Sequence, residues 1–301
     1  MTRDNHWSFP LFDGHMHYCQ PFLDEAMASY SECGVIGGIN LWGAASAQYK
    51  GMYFFNGDYA QFLKACRDKG LFYRFAQFYW PDWMGFGLDP SGFVSRLCDD
   101  LCRYAELGAT GLKVWKDLGM FSRFANSTPA VVDDERLERV WQTVAKLGLW
   151  IAVHQADPGR SFASATTGLT KQQIFAARDR WLAAHKNIRF IICHSGNHDT
   201  PEEFDRLLST FPHVQADLRP WQTTGDLQAI RALLEKHADR LYIGPDLAMS
   251  ENKQPDRAWS IECVYRPWRR RLIETGLSPQ TLEKIAWRNG VRDFFGPTPA
   301  A

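Results

Sequence analysis

The sequence lacks a charge excess of either sign, and it lacks a long apolar run. Its 301 residues carry 34 lysines and arginines against 34 aspartates and glutamates, so the formal net charge is zero. A balance of this kind shows neither the basic footprint of a nucleic-acid-binding protein nor an acidic tail. No apolar run approaches the roughly 20 residues that a membrane-spanning helix needs. We therefore expect neither a nucleic-acid partner nor a membrane partner.

The cysteines and the first residues also lack the marks of a secreted protein. The seven cysteines form no CxxC pair and their number is odd, so we interpret them as reduced thiols that lie mostly in the core. The opening stretch MTRDNHWSFP contains no hydrophobic signal core, and export is not indicated. Together these features predict a cytoplasmic protein.

What the sequence does contain is a regular alternation of short apolar runs with longer amphipathic runs. The predicted strands cover residues 9–17, 35–42, 71–78, 110–115, 149–155, 188–196, 213–219 and 240–246. An amphipathic stretch of helical length follows each of them. This alternation predicts an α/β fold, a single (β/α)8 TIM-barrel domain over residues 1–301. A doubly wound open sheet is the alternative, and it fits less well because no glycine-rich phosphate loop follows the first strand.

Charged and metal-binding types of side chain occur where the predicted strands end. They are His15 and His17 on strand 1, Lys113 on strand 4, His154 on strand 5, His194 on strand 6 and Asp246 on strand 8. Residues two apart on a strand point to the same side, roughly 6.5–7 Å apart, so the first two imidazoles can meet one ion. Imidazoles with a carboxylate are the ligands of a catalytic zinc-type site.

Each of these residues has an ordinary explanation when it is taken alone. A histidine that ends a strand is more often a hydrogen-bonded core residue than a ligand, and an aspartate after a strand is usually a turn or cap residue. Four strands, however, each deliver a ligand type at the same end of the predicted barrel. This conjunction favours a metal site over the ordinary explanations.

The motifs FDGHMH, GLKVW, IAVHQADP, IICHSGN and YIGPD resemble those of the amidohydrolase superfamily, in particular its amidohydrolase-related branch. The resemblance covers almost the whole chain and implies a (β/α)8 barrel. It implies a divalent metal, zinc first and manganese second, as one or two ions held by His15, His17, His154 and Asp246. Two departures are Pro245 directly before the aspartate and the stretch SGNH after strand 6.

The resemblance also implies a hydrolytic mechanism. A metal-activated water attacks a carbonyl carbon, and Asp246 takes the water proton and passes it to the leaving group. His194 is either a further metal ligand or a donor that polarises the carbonyl group. The substrate is then a small molecule, namely an amide, a lactone or an ester.

Lys113 has two interpretations that the sequence leaves open. In the first, which the resemblance implies, it reacts with carbon dioxide and its carbamate bridges two metal ions. In the second, it is an ordinary lysine whose amine pairs with Asp246 or with a substrate carboxylate. Lys113 and Trp115 share one face of the strand, and the resemblance places that face inside the barrel.

Substrate contacts are the least specified part of the sequence. Arg219 follows strand 7, where a guanidinium would bind a substrate carboxylate or phosphate or would pair with a loop acid. Trp115 and other aromatic residues of the active-face loops would line a substrate pocket or form a homo-oligomer interface. The second hypothesis for the reaction is therefore a metal-dependent, non-oxidative decarboxylation of a small carboxylic acid, aromatic or not. A binding barrel that has lost its metal is the third.

Overall fold

Eight short parallel strands form a closed barrel at the centre of the molecule. The computed structural model describes residues 9–18, 23–43, 58–160, 167–196, 199–218, 227–248 and 261–296. The strands are β1 (Leu11–His17), β2 (Val35–Gly43), β3 (Phe75–Trp80), β4 (Gly111–Val114), β5 (Trp150–Val153), β6 (Arg189–Ile192), β7 (Val214–Leu218), β8 (Leu241–Ile243) and the two-residue β9 (Leu247–Ala248). Each of the first seven pairs in parallel with the next, and β1 pairs with both β2 and β8. The predicted (β/α)8 barrel is confirmed.

Helices connect the strands. They are α1 (Leu23–Glu32), α2 (Tyr59–Asp68), α3 (Met84–Leu88), α4 (Pro90–Glu106), α5 (Asp117–Met120), α6 (Glu138–Leu147), α7 (Lys171–Ala184), α8 (Pro201–Thr210), α9 (Leu227–Lys236), α10 (Ile261–Glu274), α11 (Pro279–Glu283) and α12 (Asn289–Phe295). Local sequence signals define their ends. Thr170 and Thr200 begin α7 and α8 with capping boxes, and Gly148 ends α6 in the left-handed conformation, which glycine adopts without a steric penalty.

Most strands are shorter than the sequence prediction, and β6 ends at Ile192 because Cys193–Gly196 form a 3-10 turn. Strand β3 begins at Phe75, four residues later than expected, because Leu71–Tyr73 form a 3-10 turn after the left-handed Gly70. Phe75 is the residue that pairs with Gly38 of β2. Strand β9 was not expected, and it pairs with Met16 and His17 at the end of β1. This extra pairing brings the chain after Asp246 against the strand-1 histidines.

The barrel interior is apolar at one end and polar at the other. Phe294 of α12 closes the end where the strands begin, stacking 5.9 Å from Phe12 and lying 4.7 Å from Trp150 between ring centroids. Lys113 is in register with Ala152, an interior residue, so its side chain points into the barrel. The functional groups therefore sit inside the opposite end, where the strands finish. Along the described part of the chain, no helix combines the length and the apolar character that a bilayer span requires.

Candidate metal centre

Three predicted ligands meet at the C-terminal end of the barrel: His15, His17 and Asp246. Their ligand atoms all lie within 4.8 Å of one another. Oδ1 of Asp246 is 3.3 Å from Nε2 of His15 and 3.1 Å from Nε2 of His17. The two-residue period of β1 brings the imidazoles to one side. Asp246 has a left-handed backbone (φ 61°), and its N–H donates to the carbonyl oxygen of His15. The turn between β8 and β9 thus folds the carboxylate back over β1.

The outer nitrogens of both strand-1 imidazoles have hydrogen-bond acceptors. Nδ1 of His17 lies 2.7 Å from the carbonyl oxygen of Leu41, and Nδ1 of His15 lies 2.8 Å from Oδ2 of Asp217. Because a carbonyl and a carboxylate oxygen accept, each Nδ1 carries the hydrogen. Nε2 is then the inner nitrogen of each ring, and in both rings it faces Oδ1 of Asp246. A shared proton can join these atoms, as in the 3.1 Å hydrogen bond between His17 and Asp246. A divalent metal, which takes imidazole and carboxylate ligands, fits the same three side chains in place of that proton.

His194 stands beside this group. Its ring stacks on His15 at 4.2 Å between centroids, and its Nε2 is 3.7 Å from Oδ2 of Asp246. The residue has a positive φ of 58°, a conformation that the strand-like run of β6 did not predict. Burial, followed by the neighbouring His15, lowers the pKa of His194 to about 3. The imidazole is therefore neutral at physiological pH and can bind a metal or donate a hydrogen bond.

His154 adjoins the group through a different contact. The indole Nε1–H of Trp115 donates to Nδ1 of His154 over 3.1 Å, and the His154 ring meets His194 edge-on at 4.6 Å between centroids. Burial lowers the pKa of His154 well below its usual range, and the nearby His194 adds to this effect. An indole N–H can only donate, so the neutral His154 ring carries its proton on Nε2. The structure thus places His154 next to the three grouped ligands with its Nδ1 already engaged.

Lys113 has a partner that the sequence did not suggest. Its Nζ lies 2.9 Å from Sγ of Cys193, and both residues are 1% exposed. Burial raises the pKa of the Cys193 thiol far above its usual value, so the partner is a neutral thiol. The two partners expected for a plain lysine were Asp246 and a substrate carboxylate; the observed contact is neither of them.

The predicted substrate contacts are partly outside the described structure. Arg219 lies outside the described residues, as do Trp221 and the aromatic residues of 51–57. Trp115 lies at the site: its ring is 4.8 Å from that of Trp80, which in turn is 5.9 Å from the imidazole of His17. Lys116 places its Nζ 4.9 Å above the Trp115 ring. Aromatic surface and the Lys116 ammonium group therefore border the candidate metal centre on the β3–β4 side.

Sequence reasoning missed Asp217. This residue of β7 is fully buried and contacts both His15 and His194. Its signal was an acid near the end of the strand VQADL, at the same end of the barrel as the other strand-end ligands and two residues before Arg219. His15, Cys193 and Asp217 also form a second group of potential ligand atoms within 4.8 Å of one another.

Comparison with known proteins gives the same architecture. A search of curated proteins found no significant match. Among solved structures, 2,6-dihydroxybenzoate decarboxylase from Rhizobium is 16% identical, with 95% of this chain and 98% of that chain covered and a TM-score of 0.60. An amidohydrolase from Burkholderia multivorans with bound zinc is 15% identical, with 96% and 100% covered and a TM-score of 0.59. Dihydroorotase from Campylobacter jejuni is 13% identical, with 96% and 84% covered and a TM-score of 0.55.

At these identities the structural similarities establish the shared fold. The sequence itself matches the family model described as amidohydrolase over residues 92–295. That segment includes Lys113, His154, His194 and Asp246, and the histidine pair of β1 lies before it. The resemblance read from the motifs is thereby confirmed, and this chain belongs to the amidohydrolase family.

Proposed function

We propose that this protein is a metal-dependent hydrolase of a small amide, lactone or ester. One observation carries the proposal: the Nε2 atoms of His15 and His17 both face Oδ1 of Asp246, at 3.3 and 3.1 Å. With each Nδ1 hydrogen committed to an outer acceptor, this inner face is a ready set of three metal-binding atoms. The set is almost fully buried, so its charge and hydrogen bonds act in a medium of low dielectric constant.

The donor set suits zinc, which takes imidazole and carboxylate ligands, and manganese accepts the same types. The similar amidohydrolase from Burkholderia multivorans has bound zinc, which supports this choice. When bound, the metal supplies Lewis acidity, which lowers the pKa of a water molecule and polarises a carbonyl oxygen. His15, His17 and Asp246 would hold it, with His194 and His154 as the adjoining imidazoles.

Two side chains of the site would handle the proton and the developing charge. The water oxygen forms a bond to the carbonyl carbon, and Asp246 takes the water proton. The C–N or C–O bond then breaks as Asp246 passes that proton to the leaving nitrogen or oxygen. His194 is neutral, because burial holds its pKa near 3, and it would stabilise the charge that develops on the carbonyl oxygen.

A non-oxidative decarboxylation is the second candidate, and one feature of the site favours it. The rings of Trp80 and Trp115 stand beside His17 and His154, and together they offer flat apolar surface that suits an aromatic acid. Lys116, over the Trp115 ring, would pair with its carboxylate. In this reaction the C–C bond to the carboxylate breaks and carbon dioxide leaves, while Asp246 would take a proton from solvent water and deliver it to the ring carbon. The similar Rhizobium structure is a decarboxylase of 2,6-dihydroxybenzoate.

The two reactions are separated by their products. The purified protein is stripped with a chelator, reloaded with zinc or manganese, and incubated with dihydroorotate, other small amides, lactones and esters, and hydroxybenzoates. We expect metal-dependent release of a carboxylic acid from an amide, lactone or ester without carbon dioxide. Carbon dioxide from a hydroxybenzoate would instead support the second candidate. Protein that binds no metal and gains no activity with zinc or manganese contradicts both, and unchanged activity in His15→Ala contradicts the proposed site.

A further inference from the structure

Among the described residues, Asp217 is the one acidic side chain that lies beside the Nδ1 atoms of two imidazoles of the candidate site, those of His15 and His194. It is fully buried at the end of β7. Its Oδ2 lies 2.8 Å from Nδ1 of His15, on β1. Its Oδ1 accepts the backbone N–H of His194 over 2.7 Å and is 3.3 Å from Nδ1 of the same residue. One carboxylate therefore links the ends of two strands that β7 and β8 separate in the barrel.

The two contacts fix different properties of the site. On His15 the carboxylate accepts the Nδ1 hydrogen, which leaves the lone pair on Nε2, the nitrogen that faces Asp246. On His194 it accepts from the backbone N–H of a residue with a φ of 58°, a left-handed conformation that is sterically unfavourable for a non-glycine residue. That backbone turn directs Nε2 of His194 towards Asp246.

We infer that Asp217 is the positioning residue of this site: it selects the Nδ1–H tautomer of His15 and holds the strained turn at His194, so that both Nε2 atoms face Asp246. The inference rests on the proposed function for its purpose, because the Nε2 lone pair matters only if a metal binds there. The tautomer and the turn themselves are properties of the metal-free protein.

The packing around Asp217 supports a fixed position. A Cβ on Gly244 would lie 2.6 Å from Cβ and 2.7 Å from Oδ1 of Asp217, so the side chain has the backbone of the β8 end directly against it. Asp217 also belongs to the second ligand group with His15 and Cys193. Both of its oxygens already accept N–H groups, however, and the thiol of Cys193 is taken by Lys113. These contacts favour a hydrogen-bonding role over metal ligation.

The test compares wild-type protein with Asp217→Asn, Asp217→Ala and the control Asp293→Asn. Asparagine preserves the shape of the side chain but can accept only one of the two N–H groups with its single oxygen, and alanine accepts neither. Asp293 is a partly buried acid of α12 that binds Tyr242 and Arg292 near the apolar end of the barrel. The variant Asp293→Asn therefore shows what the loss of a carboxylate does when that carboxylate is far from the candidate site. Thermal unfolding confirms that each protein is folded.

Two measurements test whether Asp217 positions His15 and His194 in this way. In metal-free protein labelled with nitrogen-15 histidine, long-range nitrogen–proton spectra report the tautomer of each ring. We expect Nδ1–H for His15 in the wild type and a shift towards Nε2–H in Asp217→Ala. In zinc competition with a chromogenic chelator, we expect both Asp217 variants to bind about 10–100-fold more weakly, with Asp293→Asn unchanged. The visible spectrum of the cobalt-substituted protein should change in the same variants.

A wild-type His15 whose only ring proton is on Nε2 overturns the inference without any variant. So does a folded Asp217→Ala protein with the wild-type tautomer and zinc affinity. A Cys193→Ser protein that binds fewer zinc ions than wild type would instead make Asp217 a ligand of the second group. Failure of the proposed function has a different signature: wild-type protein that binds no metal, or binds metal and turns over no substrate, while the metal-free tautomer measurement still decides the role of Asp217.

Discussion

At the scale of single residues, Asp246 is the centre of the candidate site. It lies within 3.7 Å of three imidazole nitrogens, on His15, His17 and His194. No other described carboxylate has three such neighbours. Its left-handed backbone holds it there, and the hydrogen bond from its N–H to His15 joins it to β1. A carboxylate so placed can bind a metal and also transfer a proton.

The substitution Asp246→Asn separates fold from chemistry. Asparagine keeps the shape and one oxygen but cannot take a proton from water. We expect kcat to fall by at least roughly 10²–10⁴-fold, the usual contribution of a general acid–base group, with little change in the thermal unfolding midpoint of the metal-free protein. Steady-state kinetics on the substrate that wild type converts checks this, with Asp293→Asn as control. A variant with more than half the wild-type kcat contradicts the role.

The contact that Lys113 makes leads to a prediction about the number of metal ions. Its amine contacts the Cys193 thiol, so we expect a plain lysine and a single ion per chain. Metal content should not change when bicarbonate is added during refilling, and Lys113→Met should retain its metal. Elemental analysis of dialysed protein measures both. Two ions per chain, with the second dependent on bicarbonate and lost in Lys113→Met, would establish the carbamate instead.

Asp117, at the start of α5, should make the stability of the folded protein depend on pH. Neither of its carboxylate oxygens has a hydrogen-bond partner within the described part of the chain, and the residue is 1% exposed. Burial, with the nearby Asp82 adding to it and Lys116 opposing it, raises the pKa of Asp117 to about 7. The folded protein thus binds this proton more tightly than the unfolded chain does. The proton's stabilising effect is complete at acidic pH and is lost as pH rises through about 7.

Asparagine at this position carries no titrating proton. We therefore expect the free energy of unfolding to fall less steeply between about pH 5 and pH 8 in Asp117→Asn than in wild type. The change in unfolding free energy between these two pH values should differ between the proteins by at most about 3 kcal/mol, because each pH unit from 5 up to the folded-state pKa of about 7 contributes about 1.4 kcal/mol. Urea denaturation at a series of pH values measures it. Parallel curves for the two proteins would show that Asp117 is ionised throughout or is solvated.

At the scale of elements, the site depends on how β7 and β8 pack beneath it. Gly244 follows β8, its N–H donates to the carbonyl oxygen of Leu218, and a side chain there would collide with Asp217. We expect Gly244→Ala to lose about 1–3 kcal/mol of stability from overpacking and also to weaken zinc binding. Gly148→Ala is the matched control: it strains a left-handed position with nothing within 4 Å, so stability should fall and zinc affinity should not. Equal zinc affinity in both variants contradicts the coupling.

The elements themselves were largely predictable, for physical reasons. Apolar runs bounded by glycine mark the buried strands. Their alternation with longer amphipathic runs predicted all eight strands of the barrel. The apolar run at 71–78 predicted too early a start for β3, because Leu71–Tyr73 are apolar yet form a turn. Only the register with β2 shows that strand pairing begins at Phe75. Strand β9 has two residues, which is too short for any periodic signal.

The site was predictable in its residue types and less so in its contacts. His15, His17 and Asp246 stand at strand ends, and closure of the barrel alone brings them together. The contact between Lys113 and Cys193 crosses β5, and the role of Asp217 depends on which ring nitrogens face it. Both depend on side-chain directions in the closed barrel, which a linear sequence does not contain.

At the scale of the whole molecule, metal binding and folding should be linked. The candidate ligands come from β1 and from the turn after β8, the two ends of the strand sequence that meet to close the barrel. A metal that joins them binds the folded chain and not the unfolded one. It therefore adds stability, about 2.7 kcal/mol when its free concentration is 100 times its dissociation constant.

Zinc binding by wild-type protein and by His17→Ala is the most direct test of the metal centre. Each protein is stripped with a chelator, and thermal unfolding is followed as zinc is added back, with elemental analysis of the dialysed samples. We expect wild type to retain zinc and its unfolding midpoint to rise as zinc is added, whereas folded His17→Ala should show neither. Wild-type protein that takes up no zinc or manganese, or a His17→Ala variant that binds like wild type, would contradict this expectation.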